Sequence, residues 1–431
     1  MNFSVSTKFK ARLFDPNLVF SLLTQIVNKA PALITAMILT RIYSTEVMGG
    51  FFFATAFSFF VSLIASFGTN IHLVRAVAAE PGRGLEQLGE VLGLRIPLSI
   101  AAFIIINSTT MAFAPELVVV TCLTSLHFLL GDLSQSFGAF LIGLRRFRLR
   151  FFLALTGPLF LVVSVFVAVF LQATLNQVLI CYVLASLSML AVSAVTVHRG
   201  FGPFPLPFHG LVLQRVANLC WPFFVLDALQ VAQFKVDTLM IFWMVSAAAV
   251  AEYETAYRLL EVIQMVVRPL ITVAFPLCVT LATQQRWKEV NWVLQKTVFV
   301  AAFLGFALMA IVVPRPEMIM GMIWGDEYSQ SGVVLRVLCY TAPLLLVSVV
   351  CVGLANAIHL ERTVLVIMGI ALVVNLSLNV WAIPVWGTIG AAWTTFVTQA
   401  FIVMSILVAW YRKISLSAIR AKRISDVMEP L

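Results

Sequence analysis

The chain has 431 residues, 61% of them hydrophobic and only 11% charged, and a mean hydropathy of +1.02. That composition excludes a soluble globular domain and marks an integral membrane protein. The net charge of +9 calls for no nucleic-acid partner, because most of the basic residues fall where membrane topology puts them, with attraction to anionic lipid headgroups as a second contribution.

The apolar runs, about 20 to 28 residues long, match a hydrocarbon core about 30 Å thick crossed at about 1.5 Å per residue. They are helices and not barrel strands. About twelve spans are expected, centred near residues 30, 60, 101, 129, 161, 187, 229, 267, 304, 346, 374 and 399. Ahead of the first, MNFSVSTKFKARLFDPN is polar, and the run that follows is too long for a signal-peptide core and lacks an A-x-A exit, so the segment is expected to be retained. Of the 28 Lys and Arg, about 20 lie in the N-terminus, the even-numbered loops and the C-terminal tail. They include Arg145, Arg146, Arg148 and Arg150 in one turn and Arg412, Lys413, Arg420, Lys422 and Arg423 in the tail. Arg41 and Arg315 fall in the odd-numbered loops, where Glu317, Asp326 and Glu327 cluster. Both termini are therefore expected to be cytoplasmic.

The first span carries Gln25, Asn28 and Lys29 just ahead of Pro31, which frees a backbone carbonyl and invites a kink. In the second, Ser58, Ser62 and Ser66 at i,i+4 spacing read as a small-residue packing seam. Arg95 in the third span and Arg336 in the tenth sit near span ends and are expected to snorkel. In the fourth, Asp132 and Gln135 share a face near the midplane, where Asp132 is a titrating carboxylate or a counter-ion for Lys29.

The seventh span holds "QVAQFKVDTLMIF", residues 230–242. Asp227, Gln230, Gln233 and Asp237 fall on one stripe about 120° wide, and Lys235 projects from nearly the opposite side, toward the outer headgroups unless a bend turns it inward. The eighth, "AEYETAYRLLEVIQMVVRPL", places Glu254, Tyr257, Arg258, Glu261, Gln264 and Arg268 on a similar stripe, with Leu259, Leu260, Ile263, Val266 and Val267 opposite. Glu254 with Arg258 and Arg258 with Glu261 have ion-pair spacing, so a ladder that glues helices would account for them. Arg268 has no acidic residue within a turn, and a guanidinium at mid-membrane without one points to an anionic ligand. A charge at a helix centre costs about 2.5 to 3.5 kcal/mol on insertion scales, so several of them argue for a wet interior lined by spans one, seven, eight and four.

The six cysteines, Cys122, Cys181, Cys220, Cys278, Cys339 and Cys351, lie in apolar runs without C-x-x-C spacing and read as packed hydrophobes. No metal site is indicated. The halves echo each other: "FFATAF" (52–57) against "YETAYR" (253–258), and Gly157 against Gly369. Six spans per half make this a parallel repeat around a cavity able to open to either face. The expected organisation is a six-helix bundle over 1–200, a second over 201–411 and a basic tail over 412–431.

Four stretches make the chain resemble the polysaccharide flippases, the lipid-linked oligosaccharide translocases of the multidrug/oligosaccharidyl-lipid/polysaccharide superfamily. "LTRIYSTEVMGGFFFATAFSFFVSLIASFGTNIHLVRAVA" (39–78), with Gly50, Gly68 and Arg75, resembles that family's first two spans. "KVDTLMIF" followed by "AEYETAYRLLEV", with Asp237, Tyr253, Ala256 and Tyr257, resembles its seventh and eighth. "GDEYSQSGVVLRVL" (325–338) and "NLSLNVWAIPVWGTIGAAWTTFVTQ" (375–399) resemble its tenth to twelfth. Thr238 departs from the basic residue that often follows the aspartate, and Ala251 from the usual glycine.

The resemblance implies an all-α fold of two six-helix bundles forming a V, and transport of an undecaprenyl-diphosphate-linked oligosaccharide across the bacterial inner membrane for O-antigen, capsule or exopolysaccharide assembly. Lys29, Arg258, Arg268 and Lys235 would then bind the diphosphate. Proton or sodium coupling would fall to Asp132, Glu254 or Glu261, with no other cofactor, and a polysaccharide polymerase and chain-length machinery would be partners. A cation-coupled drug exporter shares the architecture, but the mid-depth cations count against it. A membrane polymerase or ligase would bring a long periplasmic loop and an enzyme motif, and D-x-D, H-E-x-x-H and G-x-S-x-G are missing.

Overall fold

The computed structural model describes residues 16–207 and 210–428. The polar N-terminal segment through residue 15 lies outside them, as do the side chains of the basic tail at Arg420, Lys422 and Arg423. Long runs of Leu, Ile, Val, Phe and Ala, with their backbone groups bonded within each segment, are the form a chain must take in hydrocarbon. The described residues accordingly form helices α1 (Pro16–Leu39), α2 (Thr45–Ser66), α3 (Thr69–Ala79), α4 (Gly84–Phe113), α5 (Val118–Gly143), α6 (Phe147–Phe170) and α7 (Leu175–Phe201). They continue as α8 (Gly210–Met244), α9 (Ala247–Thr283), α10 (Trp287–Val312), α11 (Pro316–Trp324), α12 (Gly332–Ala357) and α13 (Glu361–Met428). No strand occurs among them.

Among the described residues nine helices are long and apolar enough to cross a membrane, or ten when a bent pair counts as one span. The expected twelve are reached through two features of the backbone. Glu361–Lys413, at 53 residues, would be about 80 Å long if straight, more than twice the hydrocarbon core. It breaks at Gly387, where φ is +58° and ψ −138°, a conformation glycine adopts without penalty. Asn379 then accepts a hydrogen bond from the Thr394 hydroxyl across fifteen positions, which requires the chain to reverse into two antiparallel arms. The other feature is α1, whose apolar part, Leu23–Leu39, is shorter than the rest.

Two spans are bent. α8 turns by 45° between Gly210–Val225 and Asp227–Met244, just after Pro222, which removes one rung of the helical ladder. The second expected span divides into α2 and α3 at Phe67 and Gly68, both left-handed (φ +43° and +66°). A Cβ on Gly68 would stand 2.4 Å from the Phe224 backbone nitrogen, so the position excludes a side chain by conformation and by space. The Thr69 hydroxyl donates to the Ser66 carbonyl at 2.6 Å, restoring a partner to a group the break exposes.

The chain packs as two units. One runs to Phe242 and includes Ser246–Ala251; the other holds Trp243–Val245 and everything from Glu252 onward. Packing thus groups the seventh span with the first six, whereas the repeat counts it as the opening of the second half. The aromatic contacts of α8 show how: Phe224 stacks on Phe67 at 4.9 Å and Phe242 on Phe53 at 3.8 Å. The first unit has its main core among α3, α4, α5, α7 and α8, around Leu73, Leu88, Phe140 and Val197. The second is built from α9, α10, α12 and α13, around Cys278, Val290, Leu346 and Trp410.

The described cysteines are all unpaired, and Cys220, Cys278, Cys339 and Cys351 are buried. The serine seam holds at Ser58, whose hydroxyl meets that of Thr124 at 3.0 Å between α2 and α5.

Candidate functional site

The polar residues of the first unit converge on Arg95. Snorkelling, the expectation for this side chain, is overturned: Arg95 is fully buried within the bundle. Its Nη1 donates to Asn70 Oδ1 at 2.9 Å and to the Ser136 hydroxyl at 2.7 Å, and its Nη2 lies 3.5 Å from Asp132 Oδ1. The reason is helix length. The amphipathic segment from Gly84 to Glu90 is already helical, which puts Arg95 three turns inside α4 instead of at its edge. Asp132 thereby gains a counter-ion from its own unit, and Gln135 Nε2 adds a 3.4 Å contact to its Oδ1. Arg336 instead pairs with Glu317 at 2.8 Å, both about two-fifths exposed.

On α1, Gln25 is half-buried while Asn28 and Lys29 are exposed. Pro31 lies within the helix, and its carbonyl accepts from the Thr35 hydroxyl at 2.8 Å, which in turn accepts from Tyr182 at 2.8 Å. His127, a residue the sequence did not single out, contacts the Tyr182 carbonyl at 2.9 Å and the Ser186 hydroxyl at 2.6 Å through Nδ1. A chain of polar groups therefore links α1, α7 and α5. On α8 the polar stripe is uneven: Asp237 is buried, Asp227, Gln233 and Lys235 are half-buried and Gln230 is exposed.

In the second unit the stripe of α9 changes character along its length. Glu254 and Tyr257 are buried at its start, Arg258 and Glu261 are half-buried, and Arg268 near the middle is exposed. The expected Glu254 to Arg258 pair is present at 4.0 Å. Tyr257 stacks on Tyr253, whose hydroxyl meets that of Thr395 at 3.3 Å. One turn before Arg268, the Gln264 amide nitrogen is buried with no hydrogen-bond partner among the described residues. Gln264 and Arg268, four positions apart, share a face, so the unmet amide donor lies beside an exposed guanidinium. A buried donor left unmet costs about 1 to 3 kcal/mol, so this end of the stripe is suited to an external acceptor.

Among the described residues no cluster of His, Cys, Asp or Glu could hold a metal ion. The sequence signal for the Arg95 network was present, since Arg95 and Asp132 are isolated charges in apolar runs. Their partnership was not, because three helices supply its members.

Two family models match the chain. One, described as polysaccharide biosynthesis protein, covers residues 16–282, and the other, described as MatE, covers residues 222–381. No curated protein matches by sequence. Among solved structures, the fold resembles the lipid II flippase MurJ in an inward closed conformation, with a TM-score of 0.71 at 16% identity over 96% of this chain and 94% of that one. It also resembles a multidrug resistance MATE family transporter of the MOP superfamily. The inward-facing conformation gives a TM-score of 0.73 at 10% identity, covering 94% and 99% of the two chains. The outward-facing conformation gives 0.62 at 12% identity, covering 94% and 97%. These likenesses show the two-lobe, twelve-span fold.

Proposed function

The chain belongs to the polysaccharide biosynthesis protein family, within a superfamily of multi-pass membrane transporters, and we propose that it is a flippase for a diphosphate-linked oligosaccharide on a polyprenyl carrier. The observation that carries this reading is the buried Gln264 amide donor with no partner among the described residues, one turn from the exposed guanidinium of Arg268, in a chain whose family model is described as polysaccharide biosynthesis protein. A diphosphate brings several oxyanions into a low-dielectric region, where charge-assisted hydrogen bonds from guanidinium are strong and directional. Arg268 and Gln264 hold one phosphate, with Arg258 on the same helix as a further cation; Lys29 and Lys235 are the cation candidates of the first unit.

The glycan is the acceptor and donor of many weak hydrogen bonds, met by Gln25, Asn28, Gln230 and Gln233 beside Asp227 and Asp237. The polyprenyl tail stays in lipid. Transport proceeds by alternating access. Coupling to protons or sodium falls to Asp132, Glu254 or Glu261, and one charge crossing 100 mV releases about 2.3 kcal/mol, enough to drive the cycle forward. The setting is the bacterial inner membrane, and the product feeds a polymerase with its chain-length machinery during O-antigen, capsule or exopolysaccharide assembly.

Drug export is the second reading, favoured by the match of residues 222–381 to the MatE model. Both are tested by Arg268→Ala. The flippase reading expects the variant to insert normally and to lose at least tenfold in translocation of a diphosphate-linked glycan in proteoliposomes, with drug susceptibility of the host unchanged. Normal glycan transport by the variant removes the clamp. Drug efflux driven by a cation gradient, with no glycan movement by the wild type, replaces the flippase with an exporter.

A further inference from the structure

The first unit contains a cavity of about 270 Å³ that shares one wall residue, Asn28, with the proposed glycan contacts and is otherwise not used by the transport reading. Its polar lining comes from Thr24 and Asn28 on α1, Asn70 on α3, Ser134 and Gln135 on α5, Arg150 on α6 and Ser193 on α7. Among the described residues no Asp or Glu is in the wall. Asn28 and Gln135 are both exposed, so the space communicates with the surroundings of the bundle. Gln135, Arg150 and Ser193 lie in the halves of their helices nearest the turn between α5 and α6, which carries Arg145, Arg146 and Arg148. The positive-inside rule assigns that end to the cytoplasmic leaflet.

Membrane topology accounts for the four arginines of this turn as a group, yet they do not behave alike. Arg145, Arg146 and Arg148 are exposed, while Arg150 is half-buried and lines the cavity. It makes no ion pair among the described residues. Its Nε lies 3.7 Å from where a Cβ on Gly138 would stand, so the guanidinium rests over a patch of α5 left bare by that glycine. Opposite it, the orientation of Asn70 is dictated by the buried network. Arg95 can only donate, so Asn70 must present its oxygen to Arg95 and keep its amide N–H groups for elsewhere. Asn70 also lines the cavity, which thus combines an amide donor with a guanidinium and, among the described residues, has no carboxylate in its wall to satisfy either.

A planar guanidinium with neutral donors around it matches a tetrahedral oxyanion, which accepts two parallel N–H bonds from arginine. We propose that this cavity binds a phosphate group, at a site separate from the transport residues of α9. Two sources share that chemistry: the headgroup of an anionic phospholipid in the leaflet beside the basic turn, and free phosphate.

The test uses the full chain purified in detergent and measures thermal unfolding and native mass spectra with phosphatidylglycerol, with phosphatidylcholine and with inorganic phosphate. Preferential retention of phosphatidylglycerol, with a raised Tm, supports the site and names the headgroup. A Tm shift from inorganic phosphate alone supports the site and names the free anion. In either case Arg150→Gln weakens the effective ligand at least tenfold, and Arg150→Lys, which keeps the charge but loses the fork, weakens it less. Gly138→Leu fills the cavity with every charge in place and must also abolish binding, so the proposal stays testable if Arg150→Gln fails to fold. Equal retention of both lipids with no effect of phosphate overturns it, as does wild-type affinity in Gly138→Leu. Translocation is not measured, so this result is independent of the flippase reading.

Discussion

The two units solve the same problem with different chemistry. Each buries polar side chains in a setting where backbone and side chain must find partners inside the protein. The first does so with charge: Arg95, fully buried, is held by Asp132, Asn70 and Ser136 from two neighbouring helices. The second, apart from the Glu254 and Arg258 pair of α9, does so across α12 and the two arms of α13 with neutral groups. Asn379 donates to Asn375 at 3.1 Å and accepts from Thr394, and Ser348 donates to Gln399 at 2.7 Å. A neutral network loses little when one member goes, because the rest find local carbonyls; the Thr394 hydroxyl lies 2.9 Å from the Ala391 carbonyl as an alternative acceptor for its one proton. A buried charge has no such fallback, so the Arg95 network and the neutral network of α12 and α13 should differ sharply in their response to single substitutions.

Asp132→Ala should produce the largest loss, about 3 to 5 kcal/mol, because it leaves the Arg95 guanidinium buried without its counter-ion. Chemical unfolding in detergent would measure it. The double variant Arg95→Met with Asp132→Leu sharpens the point: removing both charges should recover most of that loss, and a double variant as unstable as Asp132→Ala would show that packing, and not charge, holds this part of the first unit.

In the second unit, Asn379→Ala should cost about 1 to 2 kcal/mol, the usual range for an interhelical hydrogen bond between membrane helices. A loss as large as that of Asp132→Ala would break the comparison. Gly387→Ala should cost about 1 kcal/mol, by putting a Cβ into a positive-φ position that has open space around it. Thr395→Val, which removes one partner of the 3.3 Å contact with Tyr253, should cost least, about 0.6 kcal/mol. Both are read in the same unfolding assay.

Much of this architecture was legible because hydropathy is a property of the chain taken locally. Each expected span centre lies within a helix, and even the two arms of α13 were separable as runs centred near residues 374 and 399, on either side of Gly387. The Glu254 to Arg258 pair was legible for the same reason, being a contact within one helix. Arg95 was misread because its surroundings come from elsewhere: the apolar run begins later than the helix, and Asn70, Asp132 and Ser136 are remote in sequence. The stripe of α9 shows a related limit. Its periodicity placed Glu254 and Arg268 on one face, but a helix face has no single environment along a 37-residue element, and only packing decides that Glu254 is buried and Arg268 is not. The division of the chain also differs between levels, since the repeat is a matter of sequence and topology while the seventh span packs on the first unit through its phenylalanines.

The central claim is that the protein moves a diphosphate-linked oligosaccharide across the membrane. Mass spectrometry of polyprenyl-linked lipids, in cells lacking the protein and in the same cells with it restored, tests this most directly. The account predicts that a diphosphate-linked oligosaccharide accumulates on the cytoplasmic side and clears on restoration of the wild type. Loss of surface polysaccharide without any such accumulation would contradict it.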